Sequence, residues 1–420
     1  MRLIAALMTF AALTAAMPRP ALAATVRGMV SGSLYNHDDD VSAQDFTVTR
    51  FNVRLNADEI AGEGTYLTLR ATTRSAGSDY NRDIPGSRVE TLVAGANAIW
   101  SFLDVAVGRQ WLRDIPTARV DGAAVTARLG DNSGVGLFGG QAPDPYNDTV
   151  SGDYTTFGGY AFYRAPEAGL SGGYVTTLFK GNEDLSFISG AGYLAPSTDL
   201  RLYATARSDH NVAKGQWETT NLSISANYRA GHTARLGAAF NQYRAVRRYE
   251  SMDYSLNYDL QTTMRLSGDF NITPDLMLYG RFDARTRETD SKSATLYVAG
   301  VRQKQIMDWL YYDLSYRGVN YFTTTSSQYA AAVGADLDNP DLTAELSASL
   351  LNNEQDGSAN SLRQMVYGGS VDWQITNQLF ASGRIEMSNE QYLDVDSIYT
   401  AKVTDTYNAM TFFLYAGCNF

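Results

Sequence analysis

Arginine is the residue type with the most chemistry to offer in this chain, because of how it is spaced. Arg281, Arg285 and Arg287 recur around Asp283, Arg70 stands four residues before Arg74, and Arg201 six before Arg207. In an extended chain an even spacing puts side chains on one face, so each run would present guanidinium forks to one side of a sheet. Arg265, Arg317 and Arg384 extend the set, as do Arg50, Arg54, Arg229 and Arg235. The same faces carry Asp209, Asp259, Asp269, Asp283, Asp313, Glu345, Asp372 and Glu386, and the balance stays basic. A basic wall favours anions or an acidic partner. The competing use of these residues is structural, with arginine and carboxylate pairing across strands as braces.

Catalysis is thinly supplied by comparison. Hydrolytic chemistry needs a histidine within reach of a carboxylate or a serine, and only His37, His210 and His232 exist. His210 follows Asp209, a single pairing too common to carry an enzyme, and none is expected. The one cysteine, Cys418, excludes an internal disulfide framework. No C-x-x-C-H occurs, so the chain holds no c-type haem of its own, and no cofactor or metal is expected. The acidic run Asp38–Asp40 reads as a solvated loop in preference to a calcium site. A net charge of -11 argues against nucleic acid as a partner.

The elements that would position the arginines show in the alternation. In SLNYDLQTTMRLSGDF (255–270) Leu256, Tyr258, Leu260, Met264, Leu266 and Phe270 fall on one face, with Asp259, Arg265 and Asp269 on the other. Residues 65–74, 200–207, 276–287, 342–350 and 379–387 repeat the pattern, as expected of strands between lipid and a watery interior. The chain has 27 Tyr and 36 Gly but only 10 Pro, which suits long antiparallel strands. Trp100, Trp111, Trp309 and Trp373 are expected as interface anchors. After residue 23 no apolar run reaches the length of a membrane helix, so any crossing is made by strands.

Before that point, Met1-Arg2, an uncharged apolar stretch and Ala21-Leu22-Ala23 read as a secretory signal peptide over residues 1–23, cleaved near Ala23. Residues 24–420 are then expected to form one all-β domain: an antiparallel, up-and-down transmembrane β-barrel of about 22 strands, within a range of 18–22, and without a plug domain. Every second connection is short and rich in turn formers, including 196–199, 273–275 and 376–378. The others are mostly longer, with 75–88 and 388–405 the ones able to fold partway inward.

The closing run TFFLYAGCNF (411–420) resembles the C-terminal aromatic signature of bacterial outer-membrane β-barrels, with Phe412, Leu414 and Phe420 on one face. The stretch VGRQWL (107–112) is similar to a phrase of porin-like barrels. In that family the third residue from the end is often aromatic, and here it is Cys418. The resemblance implies a Gram-negative outer membrane, a barrel-assembly machinery that reads Phe412, Leu414 and Phe420, and a porin-like channel. A barrel of this size without a plug is either open or occupied. The expectation is passive diffusion of small, anionic solutes past a wall of Arg70, Arg74, Arg201, Arg207, Arg265, Arg281, Arg285, Arg287, Arg317 and Arg384. The alternative is a sheath holding a periplasmic multihaem cytochrome for electron transfer across the outer membrane. A structural or adhesive role is a third reading.

Overall fold

The computed structural model describes residues 24–39, 45–77, 86–145, 148–246, 248–250, 259–289, 293–338, 341–355, 361–395 and 402–420. The expected signal peptide and Asp40 lie outside them. The regular structure among the described residues is a single 22-stranded sheet in which every strand pairs antiparallel with its chain neighbours. The ring closes where β1 (Thr25–Asp39) pairs with β22 (Lys402–Asn419), from Met29 opposite Asn419 to Asp39 opposite Ala409. Reciprocal backbone bonds between Gly28 and Phe420, at 2.8 and 3.0 Å, finish the seam. Closure removes the free edges that an open sheet would expose.

Alternation sorts the two faces as the period-two reading expects. Met264, Leu266, Phe282, Leu314, Val333 and Leu346 lie exposed on the outside of the ring, where lipid would cover them. On the opposite, inner face Arg265 and Arg281 bond to Asp283, and Arg302 bonds to Asp313. Tyrosines cover glycines along the wall: Tyr279 lies over Gly300, Tyr311 over Gly334 and Tyr160 over Gly136. Each ring occupies the space a Cβ would take and shields the backbone beside it.

One rim carries both termini, and its turns share a physical device. At 197–200, 273–276 and 376–379 the hydroxyl of Ser197, Thr273 or Thr376 accepts backbone N–H bonds from the residues two and three places on, at 3.0 to 3.3 Å. Such turns reverse the chain in a few residues. At the opposite rim β21 (Leu379–Val395) and β22 run further than expected, so most of 388–405 is strand and not loop. Backbone ladders need no apolar side chains, and a hairpin continues past the lipid band wherever its two arms stay paired. The error runs the other way at β14 (Gln261–Asn271), which excludes Asp259 and Leu260; residues 251–258 lie outside the described set.

The core sits on one side of the bore. Leu112, Ile115, Ala118, Val120, Ala124, Phe138, Val175, Leu185 and Phe187 form one buried apolar cluster. It includes residues of the connection between β5 (Leu103–Trp111) and β6 (Arg119–Arg128), packed against the inner wall.

Candidate functional site

Residues 112–118 form an inward-folded element of the lumen, and Val246, from the connection after β13 (Ala234–Tyr243), packs against the same cluster. Leu112 N–H donates to Ala118 O at 3.0 Å and Ala118 N–H to Ile115 O at 3.2 Å, which makes a compact loop. Thr117 takes a φ of +71°, uncommon for a branched residue and held here by its surroundings. Ile115 is fully buried, and the loop is fastened to the wall at three points. Asp114 accepts from Arg164, Thr117 Oγ1 accepts from Arg207 at 2.6 Å, and the Ser189 hydroxyl donates to Pro116 O at 3.4 Å. Arg164 ends β8 (Tyr154–Arg164), Ser189 belongs to β10 (Asn182–Leu194) and Arg207 to β11 (Leu200–Asn211). The loop therefore reaches across several strands of inner wall.

Length alone points to 75–88 and 388–405 as the segments able to fold partway inward, an expectation that misses this loop. The signal was present in composition. Leu112 and Ile115 are apolar residues in a connection that solvent would otherwise bathe, and an apolar loop needs something to pack on.

The register places Arg70, Arg74, Arg201, Arg207, Arg265, Arg281, Arg285, Arg287, Arg317 and Arg384 on the inner face. Arg50, Arg54, Arg229 and Arg235 share it. Of the eight acids, Asp259 lies just before β14 and the other seven are on strands of the same wall. The wall divides into braced and unbraced arginines. Asp283, with no exposed surface, takes bonds from Arg265 at 2.9 Å and from Arg281, with Arg285 at 3.8 Å. Asp313 takes Arg302 at 2.7 Å and the Tyr279 hydroxyl at 2.7 Å. Asp209 is bound by Arg207 and Thr220, while the Arg207 guanidinium lies 3.8 Å from the Phe187 ring centre. Among the described residues, no carboxylate comes within ion-pair distance of Arg50, Arg54, Arg70, Arg201, Arg229, Arg235 or Arg317.

A recess of about 560 Å³ opens between the inward loop and the wall. Arg70, Arg113, Arg128 and Arg164 line it, with Asp104 and Asp114. Arg128 pairs with Asp104 at 2.8 Å and Arg164 with Asp114, leaving Arg70 and Arg113 in excess. Reading the spacing missed Arg113, Arg128 and Arg164, because the recess exists only once the loop has turned inward.

The remaining candidates fall elsewhere. Asp209 and His210 point to opposite faces of β11, Asp209 inward and His210 outward to Glu183 at 2.9 Å, so they form no dyad. Phe412 and Leu414 lie on the outer face of β22, with Phe413 inward opposite Arg384, and Phe420 follows the strand, half exposed. Trp100, Trp111, Trp309 and Trp373 are all exposed, at or beside the ends of strands.

Geometry defines a class at this point: a closed antiparallel up-and-down barrel, apolar outside and polar inside, which is the build of membrane-spanning β-barrels. No protein-family model matches the chain, and no curated protein matches it. Solved structures similar to it are outer-membrane porins. Acinetobacter baumannii OccAB2 shares 11% identity at a TM-score of 0.48, over 94% of this chain and 98% of that one. A BenF-like porin from Pseudomonas fluorescens Pf-5 shares 9% at 0.49, over 95% and 99%. Pseudomonas aeruginosa OccK11 (OpdR) shares 11% at 0.44, over 94% and 96%. At such scores the function has to be read from this chain's own wall.

Proposed function

We propose that the protein is an outer-membrane, porin-like channel for passive diffusion of small anionic solutes. The observation that carries this reading is the luminal set of arginines with no carboxylate in ion-pair reach among the described residues, inside a 22-stranded ring that the loop 112–118 fills in part. Inward guanidiniums in a watery bore attract anions and set a threshold by charge, while the loop sets one by width. Export on a cleaved signal peptide over residues 1–23 belongs to the same reading. So does insertion by a barrel-assembly machinery that reads Phe412, Leu414 and Phe420. The termini then face the periplasm and the opposite rim faces outward. The inward loop takes part of the bore that a multihaem cytochrome would need, which favours free solutes over a held partner.

The test is single-channel conductance of the refolded barrel in a planar bilayer under a salt gradient. A stable conductance with an anion-leaning reversal potential is expected. A closed barrel would sink the reading, and a cation-leaning one would remove the role given to the arginines.

A further inference from the structure

The outer face of the barrel is hollowed where β16 (Ser293–Gln303), β17 (Leu310–Tyr321), β18 (Thr324–Asp338), β19 (Asp341–Gln355) and β20 (Ser361–Gln374) lie side by side. The furrow holds about 750 Å³, and the pairing register sets its shape. Ala331 opposes Ala348, and these small side chains make a floor between Leu314 and Tyr367, which stand half exposed on the same rung. A second hollow of about 480 Å³ continues it towards the rim that carries the termini, over Ala335, Ala344, Gly369 and Gly383. From Tyr329 to Ala335 the two run six residues along β18. That is about 20 Å of strand and, at a tilt of about 40°, about 15 Å of depth. It matches one leaflet, half of a hydrocarbon core about 30 Å thick.

One rung beyond Tyr329, towards the opposite rim, the same outward face turns polar. Tyr297, Ser327, Asn352, Arg363 and Gln391 form a shelf there, with Gly318 between the first two. Arg363 is exposed and stands two residues along β20 from Met365, which lines the furrow. Among the described residues no carboxylate comes within ion-pair distance of it. Glu354 lies one rung further out, opposite Ser361, and makes no pair with it. Elsewhere an outward arginine is neutralised: Arg109 of β5, opposite the exposed Leu92, is bonded to Asp121 at 2.5 and 2.7 Å.

We propose that furrow and shelf together bind a phosphorylated glycolipid of the membrane's outer leaflet, with an acyl chain in the furrow and a phosphate on Arg363. A guanidinium fork meets phosphate oxygens with paired, charge-assisted hydrogen bonds. A zwitterionic phospholipid would bring its own ammonium to that arginine, which repels it. The shelf spans five strand spacings from Tyr297 to Gln391, about 24 Å, so neutral amides and hydroxyls are left for sugar on either side of the phosphate. The Tyr316 ring lies 4.9 Å from that of Tyr329 and 5.8 Å from that of Tyr297. Such a girdle marks the level where acyl chains give way to headgroups. The inference goes beyond the channel reading and shares with it only the placing of this rim in the outer leaflet.

The test is native mass spectrometry of the refolded full-length barrel in detergent, with lipid A, its dephosphorylated form or phosphatidylethanolamine at equal concentration. One lipid A is expected to stay bound per barrel, and the other two lipids to bind at least tenfold more weakly. Arg363→Gln should weaken lipid A about tenfold and bring it level with its dephosphorylated form. Ala348→Phe, which fills the floor of the furrow, should weaken both forms alike. Arg88→Gln, at the same rim on β4 (Ser87–Ile99), should change nothing. Equal retention of all three lipids, undiminished binding in Arg363→Gln, or no retained lipid A each overturns the proposal. Arg363 lies beyond the lipid band and its replacement is expected to fold, so a misfolding Ala348→Phe leaves the test standing. Bilayer recordings separate the two readings. A barrel that keeps lipid A and does not conduct retains the site and loses the channel; one that conducts and keeps no lipid loses the site alone.

Discussion

Two sides of this barrel solve the same problem differently. Strands β5, β6, β7 (Ser133–Gln141) and β8, of 9 to 11 residues and rich in glycine, back onto an apolar cluster that the loop 112–118 completes from inside. Strands β18 (Thr324–Asp338), β19 (Asp341–Gln355), β20 (Ser361–Gln374), β21 and β22, of 14 to 18 residues, carry inward Ser347, Ser349, Ser370 and Ser382, and no described segment folds over them. The first side is held by burial, the second by long uninterrupted ladders. Burial stabilises in proportion to apolar area removed from water, and the ladder contributes little per bond but over many bonds. A bore built this way has one stiff side, packed from within, and one solvated side lined by polar side chains.

The largest effect should come from the stiff side. Ile115→Ala removes a fully buried side chain from the loop's anchor and should cost about 2–5 kcal/mol in denaturant unfolding. It should also raise single-channel conductance as the loop loosens. Ser382→Ala, inward on the solvated side, should stay within about 0.5 kcal/mol. Equal losses at the two positions would erase the distinction. Next comes Asp283→Asn, which strips the shared acceptor from Arg265, Arg281 and Arg285. Those arginine side chains are 37–38% exposed, so solvent screens what remains and the expected loss is about 1–3 kcal/mol. A double-mutant cycle of Arg207→Ala with Thr117→Val should then give a coupling of about 0.5–1.5 kcal/mol for the loop's tie to β11. Strict additivity would mean that the loop is held by apolar packing alone.

The two sides were not equally readable from sequence. The solvated side alternates cleanly, so Leu342, Ala344 and Leu346 against Thr343, Glu345 and Ser347 give β19 (Asp341–Gln355) its faces directly. The inward direction of Arg317 and Arg384 follows from the same parity. Strand ends were less legible, because pairing continues past the lipid band with polar side chains, as in β21 up to Val395. On the packed side parity sorts β7 (Ser133–Gln141), with Leu137 out and Phe138 in, but nothing local says that Asp114 meets Arg164 fifty positions later. Such contacts are made by the closed ring, and period-two reasoning carries no information about them.

The smallest expected effect separates charge from brace on the solvated side. Arg384 is 67% exposed and lies 3.3 Å from Glu386, so the pair presents little net charge to an ion in the bore, and its removal should not register in unfolding. Arg317 stands inward on β17 (Leu310–Tyr321) with no carboxylate in ion-pair reach among the described residues. Beyond a Debye length of about 10 Å at 0.1 M salt, neither change should be felt, so the contrast belongs in dilute salt. There Arg317→Gln should move the reversal potential towards cations, and Arg384→Gln should move it less. The double variant Arg384→Gln/Glu386→Gln should sit where the native protein does. If Arg384→Gln proves the stronger of the two, the solute path runs along the solvated side, and the pairing with Glu386 is broken whenever an anion passes.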